Sequence, residues 1–271
     1  EDCYSRIYDM VREEAEKTDG LMYEASAYYK YIVTRMQGIA ARTAWETVKF
    51  YRSSMFRPIG NELTIETGGD IPALSVRDED DKEIALLRGR IDRADAAVID
   101  GKNYISIVDY KSSETALDAE LAAAGVKFQP LLYSDIICKR MKSSPAAMLY
   151  MQMTDPIINA EDIKASSDAE VEKLINKEVA FGGWLNSDSL VVAGFSKGGE
   201  NGEKYFPKGA DSLVSPEELE RRIKAANEKI AASAKEIYEG NIKAEPYVSG
   251  FKYDACQYCL FGVSCGRPDK Q

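Results

Sequence analysis

The dipeptide Asp100-Gly101 constrains the fold of this chain most, because strand-forming residues flank it on both sides. Asp-Gly readily adopts the two positive φ angles of a two-residue hairpin turn. The turn therefore predicts an antiparallel hairpin in which Asp92 on one strand faces Asp109 on the other. A bulge in either strand would break this register.

One face of the predicted hairpin combines charged and apolar side chains. Because side chains alternate along a strand, Asp92, Asp109 and Lys111 share that face. The other residues of this face are apolar and are expected to point to the core: Ala94, Ala96, Val98, Ile105 and Ile107. Opposed carboxylates with Cβ atoms about 5 Å apart destabilise a hairpin, and burial adds to the cost. A divalent cation would offset both costs. Carboxylate ligands in a chain without histidine favour Mg²⁺ or Mn²⁺ over Zn²⁺.

A simpler interpretation of this pattern is an ordinary surface ion pair between Asp109 and Lys111 at the end of a strand. Asp-x-Lys alone is common enough to favour that interpretation. Its combination with Asp92 on an apolar face instead favours a functional site.

A helix is predicted to begin at Val126, with Pro130 in its first turn. Gln129 and Tyr133 are four residues apart and would project from one face of this helix. An amide and a phenol there could hydrogen-bond a phosphate or orient a water. Each residue considered alone is better explained as an ordinary helix-start glutamine or a half-buried tyrosine.

Taken in order, these motifs resemble those of the PD-(D/E)xK nucleases of the RecB type. The motifs are Gly89-Arg-Ile-Asp-Arg-Ala-Asp95, Ile107-Val-Asp-Tyr-Lys-Ser-Ser113 and Gln129-x3-Tyr133. Within that family the chain is most similar to the C-terminal nuclease region of AddB (RexB) subunits of bacterial helicase-nucleases. Residues 56–62, 147–156 and the terminal cysteines add to the resemblance, which covers about residues 23 to 267.

The resemblance implies a restriction-endonuclease-like α/β fold, with a mixed central sheet flanked by helices and with additional long helices. It also implies that Asp92, Asp109 and the backbone carbonyl of Tyr110 bind Mg²⁺ or Mn²⁺. Glu62 matches the upstream acid of the family, although a plain charged strand residue is the alternative. Many relatives have a histidine ahead of the first acid, which this chain lacks.

In the same comparison, Lys111 is the catalytic lysine, and Gln129 and Tyr133 support it. The implied reaction is hydrolysis of DNA phosphodiester bonds by an exonuclease that acts on the 5′-ended strand. The implied setting is an AddAB/RexAB-type helicase-nuclease that processes double-strand break ends for recombinational repair. The implied partners are DNA and an AddA/RexA-type subunit. The alternative is a catalytically silent nuclease fold that binds DNA ends or subunits; the intact acids and lysine argue against it.

Three cysteines near the end of the chain, Cys256, Cys259 and Cys265, have a spacing that suggests cluster ligation. The resemblance implies that they are three of the four ligands of a [4Fe-4S] cluster in the full-length protein. Cys3 is the only upstream candidate for the fourth, but it lies close to the start of the chain and no second cysteine or other motif surrounds it. The cluster is therefore expected to be incomplete in this fragment. An empty cysteine tail is an equal alternative. Cys138 is predicted to be a core cysteine.

Composition predicts a soluble intracellular protein, because there is no signal peptide and no apolar run long enough for a membrane. The resemblance implies that it is cytoplasmic and bacterial. The net charge of −10 is unfavourable for binding DNA phosphates. We therefore expect weak DNA binding by the isolated chain, with an attached helicase delivering the substrate.

The chain divides into four predicted segments. Residues 1–56 are helical, with one long helix over 21–56. Residues 57–160 form the nuclease core, including a strand over 146–153. Residues 161–250 complete the domain with an amphipathic helix over 169–186, a glycine-rich hairpin or loop over 194–209 and a helix capped by Ser215. Residues 251–271 form the cysteine-containing tail.

Overall fold

The computed structural model describes residues 2–113, 115–154, 156, 167, 170–171, 174–175, 181–196, 206–207, 211–241, 243–250, 253–262 and 264–265. Helices are formed by α1 (Asp2–Ala25), α2 (Ala27–Ser53), α3 (Ala119–Ala123), α4 (Gln129–Met141), α5 (Ser189–Phe195) and α6 (Pro216–Tyr238). Strands are formed by β1 (Arg57–Ile65), β2 (Leu74–Arg77), β3 (Glu83–Leu87), β4 (Gly89–Ile99), β5 (Lys102–Lys111), β6 (Ser144–Gln152), β7 (Gly182–Asn186), β8 (Leu213–Val214), β9 (Val248–Ser249) and β10 (Tyr253–Asp254). None of the helices in these residues combines the length and apolar character needed to span a membrane.

A six-stranded mixed sheet organises the fold, in the order β1-β4-β5-β6-β7-β8. The pairs β5–β6 and β7–β8 are parallel, and the other pairs are antiparallel. Cores on the two faces of the sheet are closed by α4 on one side and by α2 and α5 on the other. The predicted fold class, a mixed sheet flanked by helices, is confirmed. The sheet takes strands from both the 57–160 and the 161–250 segments.

The central hairpin has the predicted turn and register. Asp100 and Gly101 have φ angles of 49° and 72°. The ladder pairs Ile99 with Lys102, and then continues without a bulge to Arg93 and Val108. Val98 departs from the prediction that it faces the core. It is 61% exposed, two residues before the turn.

The predicted helix over 21–56 is interrupted. Ser26 has extended backbone angles, and its side chain accepts a hydrogen bond from the N–H of Tyr29 at 3.2 Å. Serine caps a helix in this way by satisfying an N–H that lacks an intrahelical partner. α1 therefore ends before Ser26, and α2 begins after it. The two helices contact each other, with the Gln37 amide donating to the carbonyl of Tyr8 at 2.8 Å.

Backbone conformation also shifts the start of α4. The helix begins at Gln129 instead of the predicted Val126, because Lys127 has a φ of 55°, which a right-handed helix excludes. Pro130 lies in the first turn, as predicted. The strand predicted over 146–153 is β6, which lies beside β5 in parallel.

The predicted helix over 169–186 is wrong at its end, where residues 182–186 form β7. Gly183 explains the strand. Its φ is 120°, and a Cβ there would lie 2.2 Å from the carbonyl oxygen of Met148 on β6. Only glycine permits this close approach of two strands. Residues 170–171 and 174–175 are helical; the rest of 169–180 lies outside the described residues.

The predicted loop over 194–209 begins inside a helix. Gly194 and Phe195 are the last residues of α5, which Asp188 caps by accepting from the N–H of Leu190 at 2.8 Å. Apart from residues 194–196 and 206–207, this segment lies outside the described residues. The cap predicted at Ser215 is confirmed, since its Oγ accepts from the N–H of Glu218 at 3.2 Å.

Candidate active site

The candidate site lies where the ladder between β4 and β5 ends. The last pair is Arg93 with Val108, one residue short of the predicted pair of Asp92 and Asp109. Beyond it, the Asp92 carboxylate acts as the acceptor, and its Oδ2 receives a hydrogen bond from the N–H of Tyr110 at 2.8 Å. The Asp92 side chain thus links β4 to β5 beyond the last backbone pair. Asp92 is thereby held beside the backbone of Tyr110.

Asp109 is the most buried acid of the site, with only 5% of its surface exposed. The ammonium of Lys111 forms an ion pair with its Oδ2. Burial raises the pKa of Asp109, the Lys111 ammonium opposes this rise, and the charge of Asp92 adds to it. The carboxylates of Asp92 and Asp109 are therefore close enough to repel each other. The partly exposed Lys111 ammonium neutralises part of this negative charge.

Tyr150 joins this group from the neighbouring strand. It pairs with Asp109 in the parallel ladder of β5 and β6, and its side chain is 3% exposed. The Lys111 Nζ lies 5.4 Å from the centroid of its ring. Burial, and then the charge of Asp109, raise the pKa of Tyr150. No sequence motif predicted a role for Tyr150, although a phenol within an otherwise apolar strand was an available signal.

Tyr133 reaches the site from α4. Its side chain is 6% exposed, and its hydroxyl accepts a hydrogen bond from the backbone N–H of Arg90. Burial raises the pKa of Tyr133, and the charges of Asp109, Asp92 and Lys111 also act on it. A Cβ at Gly89 would lie 2.8 Å from the Tyr133 oxygen, so the glycine makes room for the phenol.

Gln129 lies one helical turn before Tyr133. It is the first residue of α4, and its side chain is exposed. Its amide is therefore open to solvent and to a bound phosphate. The structure brings Tyr133, but not Gln129, into the buried group around Asp109.

Glu62 lies opposite Asp92 on the neighbouring strand, but its side chain contacts Arg90. It lies between the pairs Asn61–Arg93 and Leu63–Ile91, and is thus opposite Asp92. Its φ is 52°, and its carboxylate forms an ion pair with Arg90 at 2.8 Å. The side chain is 60% exposed. To bind a metal, the Glu62 carboxylate would first have to break its ion pair with Arg90.

The oxygen atoms of the site suit a hard cation. Within the described part of the chain, no three Cys, Asp or Glu side chains converge closely enough to hold a metal by themselves. Asp92 and Asp109 supply two carboxylates, and Tyr110, whose N–H binds Asp92, supplies a backbone carbonyl. Such donors, completed by water, match the preferences of Mg²⁺ and Mn²⁺. A divalent cation there would also offset the repulsion between the two acids.

The three terminal cysteines lie in one compact run of turns. Cys256 belongs to a short 3₁₀ helix, and its N–H donates to the carboxylate of Asp254 at 2.8 Å. The N–H of Cys259 donates to the carbonyl of Cys256 at 3.3 Å. None of these three described cysteines is in a disulfide, and Cys259 and Cys265 are exposed.

The other two cysteines lie in α1 and α4. Cys3 is exposed near the start of α1. Cys138 packs against the core beneath α4, and burial raises the pKa of its thiol. Cys138 thus lies where a core cysteine is expected.

Comparison with known proteins places this geometry in context. Residues 1–266 match the family model described as the PD-(D/E)XK nuclease superfamily. The chain is 30% identical over 277 residues to the B subunit of the ATP-dependent helicase/deoxyribonuclease of Clostridium acetobutylicum, a match that covers 97% of this chain and 24% of that protein. The proteins of the same name from Caldanaerobacter subterraneus and Clostridium novyi are 28% and 26% identical, with the same coverage. The chain therefore spans about a quarter of the length of these relatives.

Proposed function

Because the chain belongs to the PD-(D/E)XK nuclease superfamily, we propose that it is a deoxyribonuclease that depends on Mg²⁺ or Mn²⁺. Asp92, Asp109 and the carbonyl of Tyr110 would hold the metal. The observation that carries the proposal is the buried Asp109 carboxylate, which forms an ion pair with Lys111 and is influenced by the charge of Asp92. Two acids and a lysine in this arrangement stabilise a fold poorly without a bound cation.

Each residue of the site would have a separate role in phosphodiester hydrolysis. Held by Asp92, Asp109 and the carbonyl of Tyr110, a divalent cation would supply Lewis acidity toward a phosphate oxygen and a bound water. The Lys111 ammonium stabilises the negative charge that develops on the phosphate, and it helps to hold the attacking water. Its position depends on Asp109 and on the ring of Tyr150. Tyr133 and Gln129 orient the phosphate or the water through hydrogen bonds.

The names of the relatives support a role for this chain within a larger helicase-nuclease. They are subunits of ATP-dependent helicase/deoxyribonucleases, and we infer that this chain is the nuclease part of such a protein. An AddA/RexA-type partner would supply the DNA ends, which explains how a chain with a net charge of −10 works on a polyanion. We propose that the enzyme is cytoplasmic and degrades the 5′-ended strand as an exonuclease during recombinational repair.

Cleavage of end-labelled single-stranded DNA tests the proposal. The wild-type chain is compared with Asp109→Ala in Mg²⁺, in Mn²⁺ and in EDTA. The matched control is Glu220→Ala, which removes an exposed acid from α6. We expect cleavage that requires metal, that Asp109→Ala abolishes and that Glu220→Ala retains.

A second measurement does not depend on activity. Electron paramagnetic resonance of Mn²⁺ counts the ions that the folded chain binds, and Asp109→Ala should bind fewer than the wild type. A folded wild-type chain that neither cuts DNA nor binds Mn²⁺ would contradict the proposal. That result would favour a silent scaffold for DNA ends or subunits.

We also propose that Cys256, Cys259 and Cys265 ligate a [4Fe-4S] cluster, with a fourth ligand from Cys3 or from outside this chain. Three cysteines outside disulfides, within one run of turns, support this assignment. Anaerobic reconstitution with iron, sulfide and a small external thiol that can occupy the fourth position should produce visible absorbance that Cys259→Ser loses and that Cys138→Ser retains. A colourless wild-type protein would argue that the tail holds no cluster.

A further inference from the structure

A buried ion pair lies on the opposite face of the hairpin from the acids. Arg93 is 2% exposed and Asp95 is fully buried, and the Arg93 Nε is 3.2 Å from the Asp95 Oδ2. The hydroxyl of Tyr51 on α2 donates to the other Asp95 oxygen at 2.8 Å. Removing two charges from water is costly, and an apolar pair is often as stable. The cleavage chemistry uses neither residue directly, so the pair calls for another explanation.

The Arg93 guanidinium connects α2 to β5. Its Nη1 donates to the hydroxyl of Tyr110 at 2.8 Å and to the hydroxyl of Thr47 on α2 at 3.4 Å. The guanidinium also lies over the rings of Tyr51 and Tyr110, at 5.3 Å and 5.7 Å from their centroids. The Asp95 carboxylate neutralises the charge of the Arg93 guanidinium and orients it. The phenol of Tyr110 is thus fixed on the face of the sheet that packs against α2 and α5.

Asp92 and Arg93 are consecutive residues that hold the same partner from two faces. The backbone ladder of the hairpin ends at Arg93 and Val108. Beyond that point, the Asp92 carboxylate accepts from the Tyr110 N–H on one face. The Arg93 guanidinium binds the Tyr110 hydroxyl on the other face.

We infer that Arg93 is a positioning residue for the metal site. It holds Tyr110 in place, and Tyr110 in turn holds the Asp92 carboxylate at the separation from Asp109 that a shared divalent cation requires. Metal ligands must be held within about 0.5 Å of their productive geometry, and the residues behind them provide this precision. Tyr110 pairs with Met151 on β6, but the ladder between β4 and β5 ends at Arg93 and Val108. Beyond that pair, the two side-chain bonds to Tyr110 join β4 to β5. The inference rests on the proposed function.

Tyr110→Phe tests this role, because it removes only the hydroxyl that Arg93 binds and leaves the backbone groups of Tyr110 unchanged. The matched control is Tyr104→Phe. Tyr104 lies on the same strand and the same face, and it is 8% exposed in the same core. Mn²⁺ affinity is measured by electron paramagnetic resonance, and the unfolding temperature is measured by circular dichroism.

We expect Tyr110→Phe to weaken Mn²⁺ binding about tenfold, as is typical when a residue behind a metal ligand is changed. Tyr104→Phe should leave the affinity within about twofold of the wild type. Wild-type affinity in Tyr110→Phe would overturn the inference, and so would an equal loss in both variants. If the wild-type chain itself binds no Mn²⁺, the proposed function fails, and this inference fails with it.

Discussion

The ammonium of Lys111 lies 5.4 Å from the centroid of the Tyr150 ring, which belongs to the adjacent parallel strand. The lysine is thus held by two partners, the Asp109 carboxylate and an aromatic face. Because the ring is 3% exposed, it cannot move aside without disturbing the core. Both contacts keep the Lys111 ammonium beside the Asp109 carboxylate.

Replacing Lys111 with methionine should abolish most cleavage, because the variant lacks the charge that stabilises the transition state. Loss of one such group costs about 100-fold to 1,000-fold in rate. The matched control is Lys102→Met, which removes an exposed ammonium from the other end of β5. Rates are measured on labelled DNA at saturating Mg²⁺, with circular dichroism to confirm folding. Full activity in Lys111→Met would contradict the assigned role.

Replacing Tyr150 with leucine should slow cleavage without changing the metal ligands. A cation–π contact is worth about 1 kcal/mol, so a roughly fivefold decrease in rate is expected. Tyr150→Phe retains the ring and should retain the rate. The comparison uses the same DNA assay at saturating Mg²⁺. Equal rates in the leucine and phenylalanine variants would show that the ring does not support Lys111.

Gly89→Ala should disturb the site through Tyr133. The new Cβ would lie 2.8 Å from the Tyr133 oxygen, so either the phenol or β4 must move. Both the unfolding temperature and the cleavage rate should decrease. Because Tyr133→Phe removes the clashing oxygen, the double variant should be more stable than Gly89→Ala alone. Thermal denaturation of the three variants checks this, and additive losses would argue against the clash.

Glu218 should make the stability of α6 sensitive to acid. Hydrogen bonds from Arg221 and then Arg222 lower the pKa of Glu218 from 4.5 to about 2. The folded state therefore favours the charged form, and this contribution is present above pH 4.5 and is lost as the pH falls toward 2. The free energy of unfolding should differ between wild type and Glu218→Gln at neutral pH, and the difference should decrease with acid.

Urea denaturation at several pH values measures this difference. Glu217→Gln, in the same helical turn, controls for the loss of an acid near the helix N-terminus. A difference between wild type and Glu218→Gln that is the same at every pH would rule out the linkage.

Features that depend on neighbouring residues could be predicted from the sequence. The Asp100-Gly101 turn and the register up to Arg93 follow from local backbone preferences and strict alternation along the strands. The Ser215 cap depends on groups within one helical turn. The proximity of Asp92, Asp109 and Lys111 could be predicted for the same reason, because one short hairpin carries all three.

Contacts between distant segments decided the rest. Glu62 is opposite Asp92 as an aligned acid should be, yet its positive φ turns it toward Arg90. Tyr150 entered the site only through the pairing of β5 with β6, and Gly183 forms a strand because of its approach to β6. Local preference could predict which groups the hairpin carries. Only packing between remote segments could determine where each group points, because that choice depends on space and partners that the local sequence does not contain.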